Sequence, residues 1–152
     1  MHLSGEGLDL MKRAEGFRSR TYTDIAGCET IGFGHMLLPA ESYPNGINVT
    51  QAEAILAADV REAEEAVSRL VKVPLTQGQF DALVDFVFNL GSGRLATSTL
   101  LKDLNGGRYD AAAWQLLAWD HVGSQEVAGL EARREAEFHL WSDAPLQRAS
   151  AA

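Results

Sequence analysis

The chain has 152 residues, 46% of them hydrophobic, so it can close one domain around a core that buries roughly two thirds of the unfolded surface. Its 13 Lys and Arg against 21 Asp and Glu leave a formal charge of -8, which excludes the overall basic field that would gather nucleic acid. A single cysteine, Cys28, excludes an internal disulfide and a thiolate zinc cluster, and no run of about 18 apolar residues is present to span a bilayer. The N-terminal "MHLSGEGLDLMKRAEG" lacks the continuous apolar stretch of a signal peptide, so a soluble chain is expected, without stable membrane insertion.

In chain order, Leu8 and Met11 three apart predict a short helix between Ser4 and Glu15, stopped by Gly16. From Phe17 to His35, aromatic and β-branched residues broken by "DIAG" predict a hairpin with strands near 18–23 and 29–35. "LLPAESYPNGIN" reads as a loop, and the sequon at Asn48 is taken as coincidence. Thr50 and Glu53 are expected to form a capping box opening a helix to about Val71, with Ala54, Leu56, Val60, Val67 and Leu70 inward and the acids Glu62, Glu64 and Glu65 on a solvated face. Thr76 and Gln79 repeat that signal before "FDALVDFVFNLG", and further helices are expected at 97–104, 109–119 and 127–141. Everything after Val49 is expected to be helical. The fold class is therefore α+β, in one domain: an N-terminal helix and β-hairpin lobe over 1–49, a connecting helix over 50–71, a helical lobe over 72–141 and a tail over 142–152, with the cleft between lobes.

The stretch from Ala14 to His35, "AEGFRSRTYTDIAGCETIGFGH", carries the chemistry. Glu15 follows Met11 by four residues and Leu8 by seven, so its carboxyl falls near their apolar face, in a last helical turn whose carbonyl dipoles disfavour an anion. Both effects hold a carboxyl protonated to higher pH, as a general acid needs. Asp24, at the polar tip of the hairpin, is expected to stay solvated and ionised; its bland role is to form the turn. Two carboxyls with environments that push their pKa values apart are the acid and the charged partner of glycosidic cleavage. Strand alternation in "TIGFGH" puts Thr30, Gly32 and Gly34 on one nearly bare side that a sugar ring would fit, with Ile31, Phe33 and His35 on the other. Thr30 can hold a water through its hydroxyl, and His35 reads as a hydrogen-bonded structural residue. His2, His121 and His139 show no ligand spacing, so no metal is assigned.

Glu15, Asp24 and Thr30, together with "EGFRSRTY", "TIGFGH", "FVFNLGSG", "STLLKDLNGG" and "GLEARREAE" in this order from about residue 4 to 141, resemble the phage lysozyme (endolysin) family typified by the T-even phages. The resemblance implies a two-lobed lysozyme-like fold that hydrolyses the β-1,4 bond between N-acetylmuramic acid and N-acetylglucosamine in peptidoglycan, without a cofactor. It implies that Glu15 protonates the leaving oxygen, Asp24 stabilises charge on the sugar and Thr30 places the attacking water, an arrangement that suits inversion. Gly34, Met36 and Phe88 are then expected to bind substrate, with core packing the plain alternative for Met36 and Phe88. Arg133 and Arg134 are expected to anchor the last helix or pair with acids, outside the active site.

Where the best-known members of that family are cationic, this chain carries -8, so electrostatic capture of an anionic wall should be weak. A wall-binding domain elsewhere, or a local basic patch, would compensate. Glu29 is a third carboxyl that raises the Glu15 pKa or points to solvent, and Cys28 is a small structural residue or, if exposed, a redox brake. The family analogy further implies a monomer made in a bacterial cytoplasm and released to the wall by a separate holin, or delivered by a virion or secretion device. A lytic transglycosylase, which needs one acid and no water, and a non-catalytic wall-binding module are the competing readings.

Overall fold

The computed structural model describes residues 1–24, 26–122, 125–126 and 128–143. The expected tail from residue 144 onward lies outside them. The order of elements is α1 (Gly5–Glu15), β1 (Arg18–Thr23), β2 (Glu29–Gly32), β3 (His35–Met36), α2 (Val49–Leu70), α3 (Gln77–Leu90), α4 (Ser92–Ala96), α5 (Thr99–Asn105), α6 (Tyr109–Leu116), β4 (His121–Val122), β5 (Gln125–Glu126) and α7 (Ala128–Asp143). β1, β2 and β3 form an antiparallel sheet in that order, with Tyr22 opposite Thr30 and Thr30 opposite Met36.

α3 is the centre. Every residue from Gln79 to Val87 is buried, as befits a helix apolar on all sides, and α7, α2 and α1 pack around it. Two aspartates interrupt that apolar run, and each is matched. Asp81 accepts the backbone N–H of Ser4 at 3.0 Å and the side-chain amide of Gln77 at 2.8 Å. Asp85 is taken by α7, as described below. Ser4 caps α1 through the Gly7 N–H at 3.1 Å, and Gly16 ends that helix at φ 69°, a left-handed conformation suited to glycine.

Several expectations shift. The capping box of α2 is Asn48 with Gln51, two residues before the Thr50 and Glu53 expected, because Asn48 is the residue left extended at the helix entry. The buried stripe runs through Ala52, Leu56, Val60, Ala63, Ala66 and Val67, and Ala54, two residues from both Ala52 and Leu56, falls on another face and is exposed. Glu64 is not merely solvated: its carboxylate accepts the Leu3 N–H at 2.6 Å and pins the N-terminus. The Thr76–Gln79 box occurs as expected. The single strand expected over 29–35 is two, since Phe33 and Gly34 turn the chain into β3. The region after Val49 is not wholly helical, because α6 stops at Leu116 and β4 pairs with β5.

His35 joins sheet, loop and helix. Its Nδ1 meets Asp59 of α2 at 2.7 Å and its Nε2 meets Glu41 at 2.9 Å, while Glu41 also accepts the Leu38 N–H at 2.7 Å and the Tyr43 hydroxyl at 3.0 Å. Burial would lower the His35 pKa, but the bonds to Glu41 and Asp59 outweigh it and raise it. A raised folded pKa gives stability that is complete below the unfolded value near 6.5 and is lost as pH rises through the folded value. His35→Gln is therefore expected to destabilise by about 2 kcal/mol at mildly acidic pH and by less at alkaline pH, as urea midpoints across pH would show.

Candidate active site

Glu15 is the last residue of α1, and three other elements meet its carboxyl. From α7, Nη1 of Arg133 donates to Oε2. From the turn between β2 and β3, Gly34 lies directly against it: a Cβ built on Gly34 would sit 2.7 Å from Cδ and closer still to Oε1. From β1, Tyr22 feels its charge, for burial first and Glu15 next raise the phenol pKa, with Asp24 adding a smaller push. The Glu15 side chain is left 17% exposed.

Gly34 has φ 73°, so this position favours glycine both for its backbone and for the room it leaves. The expected bare side open to a sugar is thereby corrected. The carboxyl of Glu15 fills the space at Gly34, and Gly32 packs against Ile47 and Ala52, each 3.3 Å from a Cβ built there. Gly34→Ala is expected to displace the Glu15 carboxyl by about an ångström and to reduce wall hydrolysis by about tenfold to a hundredfold, measured as muropeptide release, with protein folded at 25 °C.

Arg133 is the residue that sequence reasoning left out of the site. It does pair with acids, as expected, but one of them is Glu15. Its Nε and Nη2 grip both oxygens of Asp85 at 2.8 and 2.7 Å, leaving Nη1 for Glu15. The paired forks of guanidinium and carboxylate fix the plane of the arginine. Burial would raise the Asp85 pKa, but the Arg133 bonds and charge hold it below the ordinary range. Burial likewise works against the charge of Arg133, and its two acid partners raise its pKa further still.

Asp24 forms the hairpin turn and remains half exposed. Its Oδ1 accepts the N–H groups of Ala26 at 2.9 Å and Cys28 at 2.8 Å, so the Oδ2 edge is the one that can face a ligand. Cys28 is a structural member of that turn: its carbonyl accepts the Asp24 N–H at 2.8 Å and the Thr30 hydroxyl at 3.1 Å. Thr30, only 3% exposed, thus spends its proton on a backbone carbonyl and keeps oxygen lone pairs with which to accept from water. Glu29 is exposed and pairs with Thr23, consistent with pointing to solvent. Met36, 56% exposed beside Thr30, presents an apolar surface, whereas Phe88 is half-buried against the core. Among the described residues no group of three His, Cys, Asp or Glu could hold a metal ion. A groove of about 330 Å³ between the N-terminus and α2, lined by Leu3, Leu8, Leu56 and Val60, is separate from these residues.

The sequence model of the phage lysozyme family covers residues 12–137. The chain belongs to the phage lysozyme family. It is 39% identical to the endolysin of Salmonella phage P22, over 88% of this chain and 94% of that one. It is 41% identical to the endolysin of Bacillus phage B103 over 93% of this chain, which spans about half, 54%, of that relative's length. The muramidase domain of SpmX from Asticaccaulis excentricus superposes with a TM-score of 0.84 at 35% identity, covering 93% of this chain and 99% of that one. A phage lysozyme is a glycoside hydrolase of peptidoglycan, and the lysozyme-like α+β fold is the one seen here. No described helix is long and apolar enough to cross a membrane.

Proposed function

We propose that this chain is a muramidase that hydrolyses the β-1,4 bond between N-acetylmuramic acid and N-acetylglucosamine with inversion. The observation that carries this reading is the fixing of Glu15: Arg133 holds Oε2, Gly34 makes room for Oε1, and the half-exposed hairpin with Asp24 belongs to the same sheet. Glu15 gives its proton to the glycosidic oxygen as that bond to the anomeric carbon breaks. The Asp24 carboxylate stabilises the positive charge on the ring, a water held by Thr30 adds to the opposite face of the anomeric carbon, and its proton leaves to Asp24. Met36 and the open edge of Phe88 provide apolar surface for the sugar. The SpmX domain is named a muramidase, which supports the bond assigned here. The protein is read as a monomer that reaches the wall after release by a holin or delivery by a virion or secretion device.

Mass spectrometry and proton NMR of muropeptides released from purified peptidoglycan test the reading. Reducing-end N-acetylmuramic acid, formed first as the α-anomer, is the expected product. Anhydro-muramic products would make the protein a lytic transglycosylase. No release, with wall binding intact, would leave a binding module.

A further inference from the structure

The interface between α3 and α7 buries more charge than is needed to grip Glu15. Arg134 and Glu137 are both 0% exposed and lie three residues apart on α7, with Nη2 donating to Oε1 at 2.6 Å. The Arg134 guanidinium also lies 5.4 Å from the Phe86 ring centroid. Among the described residues, Nε and Nη1 of Arg134 have no hydrogen-bond partner, and Oε2 of Glu137 has none while its carboxyl is ionised; only when protonated can it donate to the neighbouring Asp85 carboxylate. A buried ion pair left this incomplete adds little stability over an apolar pair of the same volume. Its location suggests another use.

The charged and titratable groups that meet here are Glu15 of α1, Asp85 of α3, and Arg133, Arg134 and Glu137 of α7, with Tyr22 of β1 near enough to feel the charge of Glu15. Burial, and then the adjacent Asp85 charge, push the Glu137 carboxyl well above the ordinary range against the pull of Arg134. Asp85 is held on the other side of its ordinary value by Arg133. Two carboxyls that share a buried site divide into one acid and one anion, and these opposite shifts make Glu137 the acid and Asp85 the anion. The proton on Glu137 belongs on Oε2, the oxygen Arg134 does not occupy, and Asp85 is the acceptor beside it.

We propose that Glu137 is a positioning residue for the catalytic acid: it occupies Arg134 with one oxygen and offers O–H to Asp85 with the other, so that Asp85 stays committed to Arg133 and Arg133 spares a single N–H for Glu15. This rests on reading Glu15 as the general acid. Without Glu137, Arg134 would take Asp85 as its nearest anion. Arg133 would then be less neutralised and would act more strongly on Glu15, favouring its carboxylate. A general acid works only while protonated, so the alkaline limb of the rate profile would move to lower pH.

The test is kcat and KM for muropeptide release across pH, in wild type, Glu137→Leu, Glu137→Gln and Glu15→Gln. Glu137→Leu is expected to move the alkaline limb of kcat down by about one pH unit and to lower kcat at neutral pH about tenfold, with KM unchanged. Glu137→Gln, whose carbonyl can take Arg134 and whose amide can donate to Asp85, is expected to restore the limb and to bring kcat within about threefold of wild type. A folded Glu137→Leu protein with the wild-type limb overturns the proposal while Glu15→Gln is inactive. An active Glu15→Gln protein overturns instead the reading on which it rests. Should Glu137→Leu fail to fold, carboxyl carbon NMR of wild type decides: one alkaline step at Glu137, relayed to the Asp85 and Glu15 signals, is expected, and a Glu15 signal silent through that step refutes the relay.

Discussion

Glu15→Gln is expected to reduce muropeptide release by about 10²-fold to 10⁴-fold, the range that loss of a positioned general acid produces. The substitution is nearly isosteric. The amide oxygen can still accept from Nη1 of Arg133, and the amide still fits over Gly34, where a Cβ would not. What disappears is the transferable proton. Folding stability is therefore expected to change by no more than about 1 kcal/mol, and affinity for insoluble peptidoglycan to stay within about threefold of wild type. Release rates, urea midpoints and a sedimentation binding assay on the same preparation separate these quantities. A variant that keeps even a tenth of the wild-type rate would remove Glu15 from the acid's role, because water alone does not replace a positioned proton donor so well.

The local elements that carry the candidate site residues are legible in the sequence. A helix, a glycine stop and a hairpin put Glu15, Asp24 and Thr30 on consecutive local elements, so their relation follows from short-range geometry. Thr76 with Gln79 announced α3 for the same reason: a cap is made within one turn. Arg133 was not legible, since it reaches Glu15 across 118 residues and no local pattern encodes that approach. One signal was available. Asp85 directly precedes the apolar "FVF" of α3, and a carboxylate so placed calls for a cation or hydrogen-bond donors from elsewhere in the chain. "GLEARREAE" held two arginines with which to answer it. Gly34 differs from its expected place on a strand face because strand alternation does not continue through a turn, and it is the turn that brings Gly34 under Glu15. Met36, by contrast, is exposed on β3 as a surface residue must be to meet a sugar.

Arg133→Leu is expected to destabilise the protein by about 3 to 5 kcal/mol at neutral pH. Little of that is the loss of Glu15, which at 17% side-chain exposure can turn toward water. The cost comes from Asp85, which is fully buried and would keep its charge with its bidentate partner gone. The sign with pH follows. In wild type the Asp85 pKa is depressed, so the stability it contributes is present above the unfolded value near 3.8 and lost as pH falls through the folded one. In the variant, burial acts without the opposing guanidinium and raises that pKa, so the penalty is greatest at neutral pH and shrinks as acid protonates Asp85. The gap between wild-type and variant urea midpoints should therefore narrow from pH 7 toward pH 4. Adding Asp85→Asn to Arg133→Leu should recover more than half of the lost stability, since a neutral amide is easier to bury, yet it should not restore muropeptide release, because Glu15 would still lack the group that holds it over Gly34. If the double variant regained both, Arg133 would be a structural counter-ion of Asp85 and nothing more. Recovery of stability alone makes the Asp85–Arg133 pair the foundation on which the acid is set.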